Sequence, residues 1–242
     1  MIPKIIHYCW LSGDPIPENL QKWMATWKEK LPGWEFRLWD KNRFDINSVE
    51  WVRQAYEAKK YAFAADYIRQ YAVYNYGGFY MDMDIEVVKN FDNLLSRPYV
   101  LGAETEYSVE AGVFGAEKES PIIKTCLDWY EGKSFINKDG TLNMYGCPWV
   151  MMESISEKYK VRITPEFEES EDTVCLLPRD FLTAKSSETG VVTKTRNTIT
   201  VHHFAGSWLN LTTWGRTKHR IKAIAGKIFG DKFIILVNKI IH

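Results

Sequence analysis

Three acids at alternate positions, Asp82, Asp84 and Glu86, close the run Gly77-Gly-Phe-Tyr-Met-Asp-Met-Asp-Ile-Glu86. In an extended chain residues two apart point to the same side, so these carboxylates are expected on one face and Met81, Met83 and Ile85 on the other. Carboxylates held that close repel one another in the absence of a cation. A hard divalent ion with oxygen ligands, Mg²⁺ or Mn²⁺, relieves the repulsion. Standing alone, an Asp-x-Asp is explained equally well by a solvated edge strand. Two other groups give it context. Asp66 and Arg69 lie three apart in Ala64-Ala-Asp-Tyr-Ile-Arg69, on one face of a segment otherwise too apolar to be exposed, so each needs a partner: the other, or a ligand. The segment Val201-His-His-Phe-Ala-Gly-Ser-Trp208 ends a strand in adjacent histidines, which face opposite ways, so one of the two reaches a given metal.

These groups need elements to position them. Residues 4–10 read as a strand and 12–17 as a turn-rich loop. Residues 18–31 carry Leu20, Trp23, Trp27 and Leu31 at helical spacing. Trp34, Phe36 and Leu38 alternate as in a second strand, and 49–60 is expected to be a second helix. The third helix, 61–76, is apolar around most of its circumference and is stopped by Gly77-Gly78, so burial is expected. A strand is expected over 79–88, shorter ones at 99–102 and 112–115, and a helix over 121–130. Further on, strands are read at 161–164, 174–177 and 198–204. Strands alternating with helices indicate an α/β sheet.

The composition excludes several classes. The 242 residues carry 31 Lys+Arg against 31 Asp+Glu, with 45% hydrophobic and 14% aromatic residues, which describes a globular chain rather than a disordered or fibrous one. Zero net charge argues against binding nucleic acid along the whole chain, which requires a surplus of cations. The neutrality is a split, however: from residue 209 onward Arg216, Lys218, Arg220, Lys222, Lys227, Lys232 and Lys239 face a single acid, Asp231. Ile221, Ile224, Ala225, Ile228 and Ile235 share one helical face there, so 209–242 reads as a basic amphipathic helical tail beyond a body of 1–208. The stretch 216–242 is suited to an anionic membrane surface or to packing on the domain. Cys9, Cys126, Cys147 and Cys175 form no metal or disulfide pattern and are expected to be free and buried. The apolar run at 1–10 is too short for a signal peptide, and no window approaches the roughly 18 apolar residues of a membrane span. A cytoplasmic protein, peripheral at the inner face of the cell membrane, fits these features.

Four motifs occur in order: Ile-His-x-x-Trp at 6–10, Ala-x-Asp-x-x-Arg at 64–69, Gly-Gly-x-Tyr-x-Asp-x-Asp at 77–84 and His-x-x-Gly-Ser-Trp at 203–208. Together they resemble the sugar-nucleotide glycosyltransferases of family 32, the Asp-x-Asp sugar-binding-region proteins, to which the clostridial glucosylating toxins are more distantly similar. The likeness runs over 2–208. It implies a GT-A fold, a Rossmann-like nucleotide-sugar-binding sandwich with a central mixed sheet, together with a nucleotide-sugar donor and Mn²⁺ or Mg²⁺. By that resemblance Trp10 stacks on the nucleotide base, Asp66 and Arg69 hold the donor sugar, and Asp82 sits near ribose and metal. Asp84 binds the metal directly. His203 completes the metal site, since His203-Phe-Ala-Gly is similar to a metal-binding His-aromatic-x-Gly of the related family 8, with His202 as fallback. Ser207 and Trp208 close over the diphosphate.

The function expected is a retaining, metal-dependent hexosyl transfer from a nucleoside-diphosphate sugar, a UDP-sugar by preference, to a surface polysaccharide or its lipid-linked glycan precursor. Asp66, Arg69 and Asp84 are the expected catalytic group. Glu104 and Glu106 are weighed as acceptor-facing acids against plain surface carboxylates. Tyr145-Gly-Cys-Pro-Trp149 lies where relatives carry a Gly-Pro loop, here interrupted by Cys147. Two other readings stand beside this one. A phosphotransferase or phosphatase using Asp82 as nucleophile is disfavoured, because Asp-Met-Asp-Ile-Glu lacks the Thr or Gly expected after such a pair. A catalytically silent carbohydrate-binding or membrane-docking module is the third.

Overall fold

The computed structural model describes residues 1–187 and 189–205. Strand β1 (Ile5–Cys9) leads to helix α1 (Glu18–Lys30), which buries Leu20 and Trp27, and the chain returns as β2 (Glu35–Trp39). Two helices, α2 (Glu50–Glu57) and α3 (Tyr61–Tyr76), precede β3 (Gly78–Met81). Then follow β4 (Ile85–Val87), β5 (Tyr99–Val100), β6 (Ala103–Thr105), β7 (Ser108–Val109), β8 (Val113–Ala116) and helix α4 (Pro121–Asp128). Helix α5 (Cys147–Lys158), strands β9 (Lys160–Ile163) and β10 (Thr173–Leu176), the short helix α6 (Arg179–Leu182) and β11 (Thr200–His202) complete the described chain.

The central sheet has the order β2-β1-β3-β8-β5. β1 is parallel to β2 and β3, whereas β8 runs antiparallel to β3 and β5, so the sheet is mixed, as expected. Alternation along its strands separates two apolar layers. Phe79 and Met81 of β3 join Ile6, Trp27 and Leu31 on the α1 face, while Tyr80 joins Ile68, Ala72 and Val73 on the α3 face. The same alternation directs Tyr80 and the residue two beyond it, Asp82, toward α3. Nine residues of α3 are buried, which accounts for a helix apolar on nearly every side.

Gly77 and Gly78 serve the turn from α3 into β3. Both have positive φ, +65° and +98°, and a Cβ on Gly78 would stand 2.7 Å from the Ile5 carbonyl oxygen. Glycine therefore lets β3 lie against β1 immediately after the helix ends. Continuing their register, Ile6 beside Phe79 and His7 beside Tyr80, brings Cys9 opposite Asp82, with Trp10 one residue farther on.

Three sequence expectations are corrected. The strand expected over 79–88 is two strands, because the Ile85 N–H donates to the Asp82 carbonyl at 3.0 Å and closes a tight turn over Asp82–Met83–Asp84. After the turn β4 leaves the central sheet and pairs antiparallel with β11. Residues 145–149 are not a loop throughout: α5 starts at Cys147, with Pro148 in its first turn, where a missing N–H costs nothing. The strand expected over 198–204 is the three residues of β11. All four cysteines are free and buried, as expected. The helical tail over 209–242, and with it the boundary of the body at 208, lies outside the described residues.

Candidate active site

A helix turn and a strand end meet at Arg69. One turn of α3 separates Asp66 from Arg69, and Arg69 Nη2 pairs with Asp66 Oδ1 at 2.9 Å. Its Nη1 donates both to Asp82 Oδ2 at 3.2 Å and to the Ala111 carbonyl at 2.7 Å. The guanidinium lies over the Tyr80 ring, 4.7 Å from its centroid, and the Tyr80 hydroxyl donates to Asp82 Oδ1 at 2.7 Å. Asp66 and Arg69 are both buried, each 7% exposed. One buried donor of this group, Arg69 Nε, has no partner among the described residues.

Burial and electrostatics oppose each other here. Burial pushes the Asp66 carboxyl up to about 6, against the pull of the Arg69 charge. Burial also raises Asp82, reinforced by Asp84 and opposed by Arg69. Arg69 itself stays charged: burial disfavours the cation, and Asp82, Tyr80 and Asp66 outweigh it.

Asp84 occupies the far side of the 82–84 turn. Its carboxylate receives the Ala205 N–H on Oδ2 at 2.7 Å, and its carbonyl receives the His203 N–H at 3.0 Å. The end of β11 is thereby folded around it. His202 Nε2 lies 3.5 Å from Asp84 Oδ1. Asp82, Asp84 and His202 each offer one ligand atom, and these atoms all lie within 4.8 Å of one another. Two carboxylate oxygens and one imidazole nitrogen suit Mn²⁺ or Mg²⁺, and the borderline nitrogen donor favours Mn²⁺ of the two.

His203, expected in the metal set, is not in this group. Its ring stacks on Trp23 of α1, centroids 3.6 Å apart and planes 8° from parallel, and its Nε2 faces Glu86 Oε2 at 2.9 Å. Strand alternation explains the exchange: His202 and His203 point to opposite sides, and the side facing the carboxylates belongs to His202. Glu86 also departs from the expected row, because it follows the turn; it is bound by His203 and by Lys194 Nζ at 2.8 Å.

The remaining predicted residues are placed as follows. Trp10 is half-buried beyond β1, and its indole N–H donates to the Asp14 carbonyl at 2.6 Å. Ser207 and Trp208 lie outside the described residues. Glu104 has its carboxyl pushed up to about 7 by burial and by the neighbouring Glu110 charge, whereas Glu106 is exposed. Cys147 packs against α3, with Gln70 Nε2 donating to its Sγ at 3.3 Å.

Glu110 was missed by sequence reasoning. It is 1% exposed, and its Oε1 lies 2.9 Å from His202 Nδ1. The signal available was an isolated acid between Val109 and Ala111, in a stretch otherwise apolar enough to be buried.

Residues 17–101 match the family model described as glycosyltransferase sugar-binding region containing DXD motif. Over those residues the chain is similar to the DXD glycosyltransferases. Curated relatives include inositol phosphoceramide mannosyltransferase 3 of Schizosaccharomyces pombe, 30% identical over 129 residues, which cover 50% of this chain and 35% of the relative. Another is the mannosyl phosphorylinositol ceramide synthase SUR1 of Saccharomyces cerevisiae, 30% identical over 131 residues, covering 52% and 34%. The chain thus spans about a third of the length of these relatives. Among solved structures, the PaToxG glycosyltransferase superposes with a TM-score of 0.50 at 22% identity, covering 64% of this chain and 69% of that one. That likeness supports the GT-A fold.

Proposed function

We propose that this chain is a metal-dependent, retaining glycosyltransferase that moves a hexose from a nucleoside-diphosphate sugar to a glycan or glycolipid acceptor. The observation that carries the reading is the convergence of Asp82, Asp84 and His202 beside the buried Arg69, on a domain of the DXD type. In the reaction the bond between the sugar's anomeric carbon and the diphosphate oxygen breaks, an acceptor hydroxyl oxygen bonds to that carbon, and the hydroxyl proton is released. A divalent cation held by Asp82, Asp84 and His202 would neutralise the negative charge that develops on the departing diphosphate.

The protein's own groups supply position and charge. Arg69 and Asp66, paired with each other and, through Arg69, with Asp82, form a rigid polar wall suited to the hydroxyls of the donor sugar. Trp10, at the end of β1, offers an aromatic face suited to a nucleotide base. Because all these groups are held by the sheet and α3, the protein needs little reorganisation as charge shifts.

A UDP-sugar is the first donor to test. The mannosyltransferases among the relatives add a mannose nucleotide as a donor to test, and an inositol phosphoceramide, in the name of one of them, as an acceptor to test. A lipid-borne acceptor agrees with a cytoplasmic protein whose basic tail, 216–242, meets an anionic membrane.

A panel of nucleotide sugars incubated with the chain, with and without Mn²⁺, tests the reading. Mn²⁺-dependent hydrolysis or transfer with at least one donor is expected, and Asp84→Asn should reduce it by two or more orders of magnitude (~3 kcal/mol of lost charge stabilisation) with the fold unchanged. Absence of metal-dependent turnover and of metal-dependent nucleotide binding across the panel would overturn it.

A further inference from the structure

Glu110 is the most deeply buried acid near the site, 1% exposed, yet its carboxylate has a full set of donors. Oε1 receives the Gly112 N–H at 2.8 Å, and Oε2 receives the Thr183 hydroxyl at 2.6 Å. The remaining contact is His202 Nδ1, 2.9 Å from Oε1. A carboxylate accepts and does not donate, so this contact fixes the proton of His202 on Nδ1 whenever the ring is neutral. The free lone pair is then on Nε2, the nitrogen that faces Asp84.

The packing around the ring is built for the same orientation. Phe204 stacks on one face of His202, with centroids 3.9 Å apart. At the ring edge there is no room for a side chain: a Cβ on Gly112 would stand 2.6 Å from His202 Cε1 and 2.9 Å from Glu110 Oε1. The segment carrying Glu110 also holds the other ligand-side groups, since the Gly112 carbonyl accepts from the Asp82 N–H at 2.7 Å and the Ala111 carbonyl accepts from Arg69.

We propose that Glu110 is a positioning residue for the cation site, holding His202 in the tautomer and orientation that presents Nε2 to a divalent ion between Asp82 and Asp84. The inference rests on the metal-dependent reading above. Replacing Glu110 by an apolar residue strands the Gly112 N–H, the Thr183 hydroxyl and His202 Nδ1 whatever its role, so lost stability does not separate a structural acid from a positioning one. Metal affinity does, because only an acid that orients a ligand changes it. Carboxylates hydrogen-bonded to a ligating histidine are worth about ten- to hundredfold in metal affinity.

The test measures Mn²⁺ binding directly, by the loss of the free-ion electron paramagnetic resonance signal, with the metal alone and with UDP added. Nitrogen modulation of the bound-ion signal reports imidazole coordination. Glu110→Met, matched in volume, should weaken Mn²⁺ about ten- to hundredfold and remove or alter the nitrogen modulation. Glu110→Gln, which keeps an acceptor oxygen but loses the charge, should fall between it and the unsubstituted protein. Thr183→Val removes one donor to the carboxylate while leaving Glu110 in place, so it gives a second reading should Glu110→Met not fold; a several-fold loss of affinity is expected. Unchanged Mn²⁺ affinity and nitrogen modulation in folded Glu110→Met, or in Thr183→Val, would overturn the positioning role while leaving the metal site standing. If the unsubstituted protein holds Mn²⁺ no better than Asp84→Asn, the metal-dependent reading fails and this inference fails with it.

Discussion

Trp23 lies flat against His203, ring centroids 3.6 Å apart, which commits the second histidine of the pair to the α1 face and leaves His202 to the carboxylates. The two neighbours therefore have separable effects. His202→Ala should weaken Mn²⁺ binding at least tenfold, since it deletes one of three converging donors, about 1.4 kcal/mol or more. His203→Ala should leave Mn²⁺ affinity within a few-fold and lower the melting temperature instead, through loss of the stack on Trp23. Calorimetric titration of both variants checks this; equal losses of affinity would contradict the assignment.

Arg69→Met should be damaging twice over. It leaves Asp66 buried without its counter-charge, a cost of about 3–5 kcal/mol, and removes the proposed contact to the donor. Asp66→Asn combined with Arg69→Met should recover much of the stability without recovering turnover. Denaturant unfolding compared with donor hydrolysis separates the two effects, and a double variant no more stable than the single one would argue against the buried pair as the cause.

His7 predicts an acid limb in stability. Its Nε2–H donates to the Gly77 carbonyl at 2.8 Å and its Nδ1 accepts the Trp39 indole N–H at 3.0 Å, so the buried ring is neutral with both nitrogens used. Burial lowers it to about 4, from an ordinary value of 6.5. The unfolded chain therefore binds a proton that the folded one refuses between those values. Stability should rise with pH from about 4 to 6.5, by roughly 3 kcal/mol from this residue alone, and be level above. Urea unfolding from pH 4 to 8 would show the limb, and His7→Gln should flatten it.

The tail provides a prediction independent of the site. Removing residues 216–242 should abolish most sedimentation with anionic phosphatidylserine vesicles at low salt, while neutral vesicles bind neither form. Undiminished sedimentation of the truncated chain would assign the tail to packing rather than to a membrane.

The sequence displayed the carboxylate pair but not its true setting. Asp82 and Asp84 were visible as a motif, and alternation correctly sent Met81 and Ile85 to the core. It placed Glu86 wrongly, because the turn that breaks the strand is closed by backbone contacts, Ile85 N–H to the Asp82 carbonyl and Asp82 N–H to the Gly112 carbonyl, which side-chain periodicity does not record. Asp66 and Arg69 were legible since two charges on an apolar helix must find partners. The choice between His202 and His203 was not, as it depends on which face of β11 meets β4, a tertiary pairing with no local signature. Helix α5 was obscured by Gly146-Cys-Pro, which reads as a loop until Pro148 is seen in a first turn.

The pairing of β4 with β11 has a temporal meaning. Glu86 and His203, which link these two strands, are 117 residues apart, so the neighbouring His202 imidazole joins Asp82 and Asp84 only after the long loop between the strands has closed. A growing or partly unfolded chain can hold Asp66, Arg69 and Asp82 in place through local helix and strand contacts and still lack its nitrogen ligand. Cation capture would then report that β11 has docked, and a bound ion would in turn act as a latch on it, stabilising by mass action a strand that pairs only across a long loop.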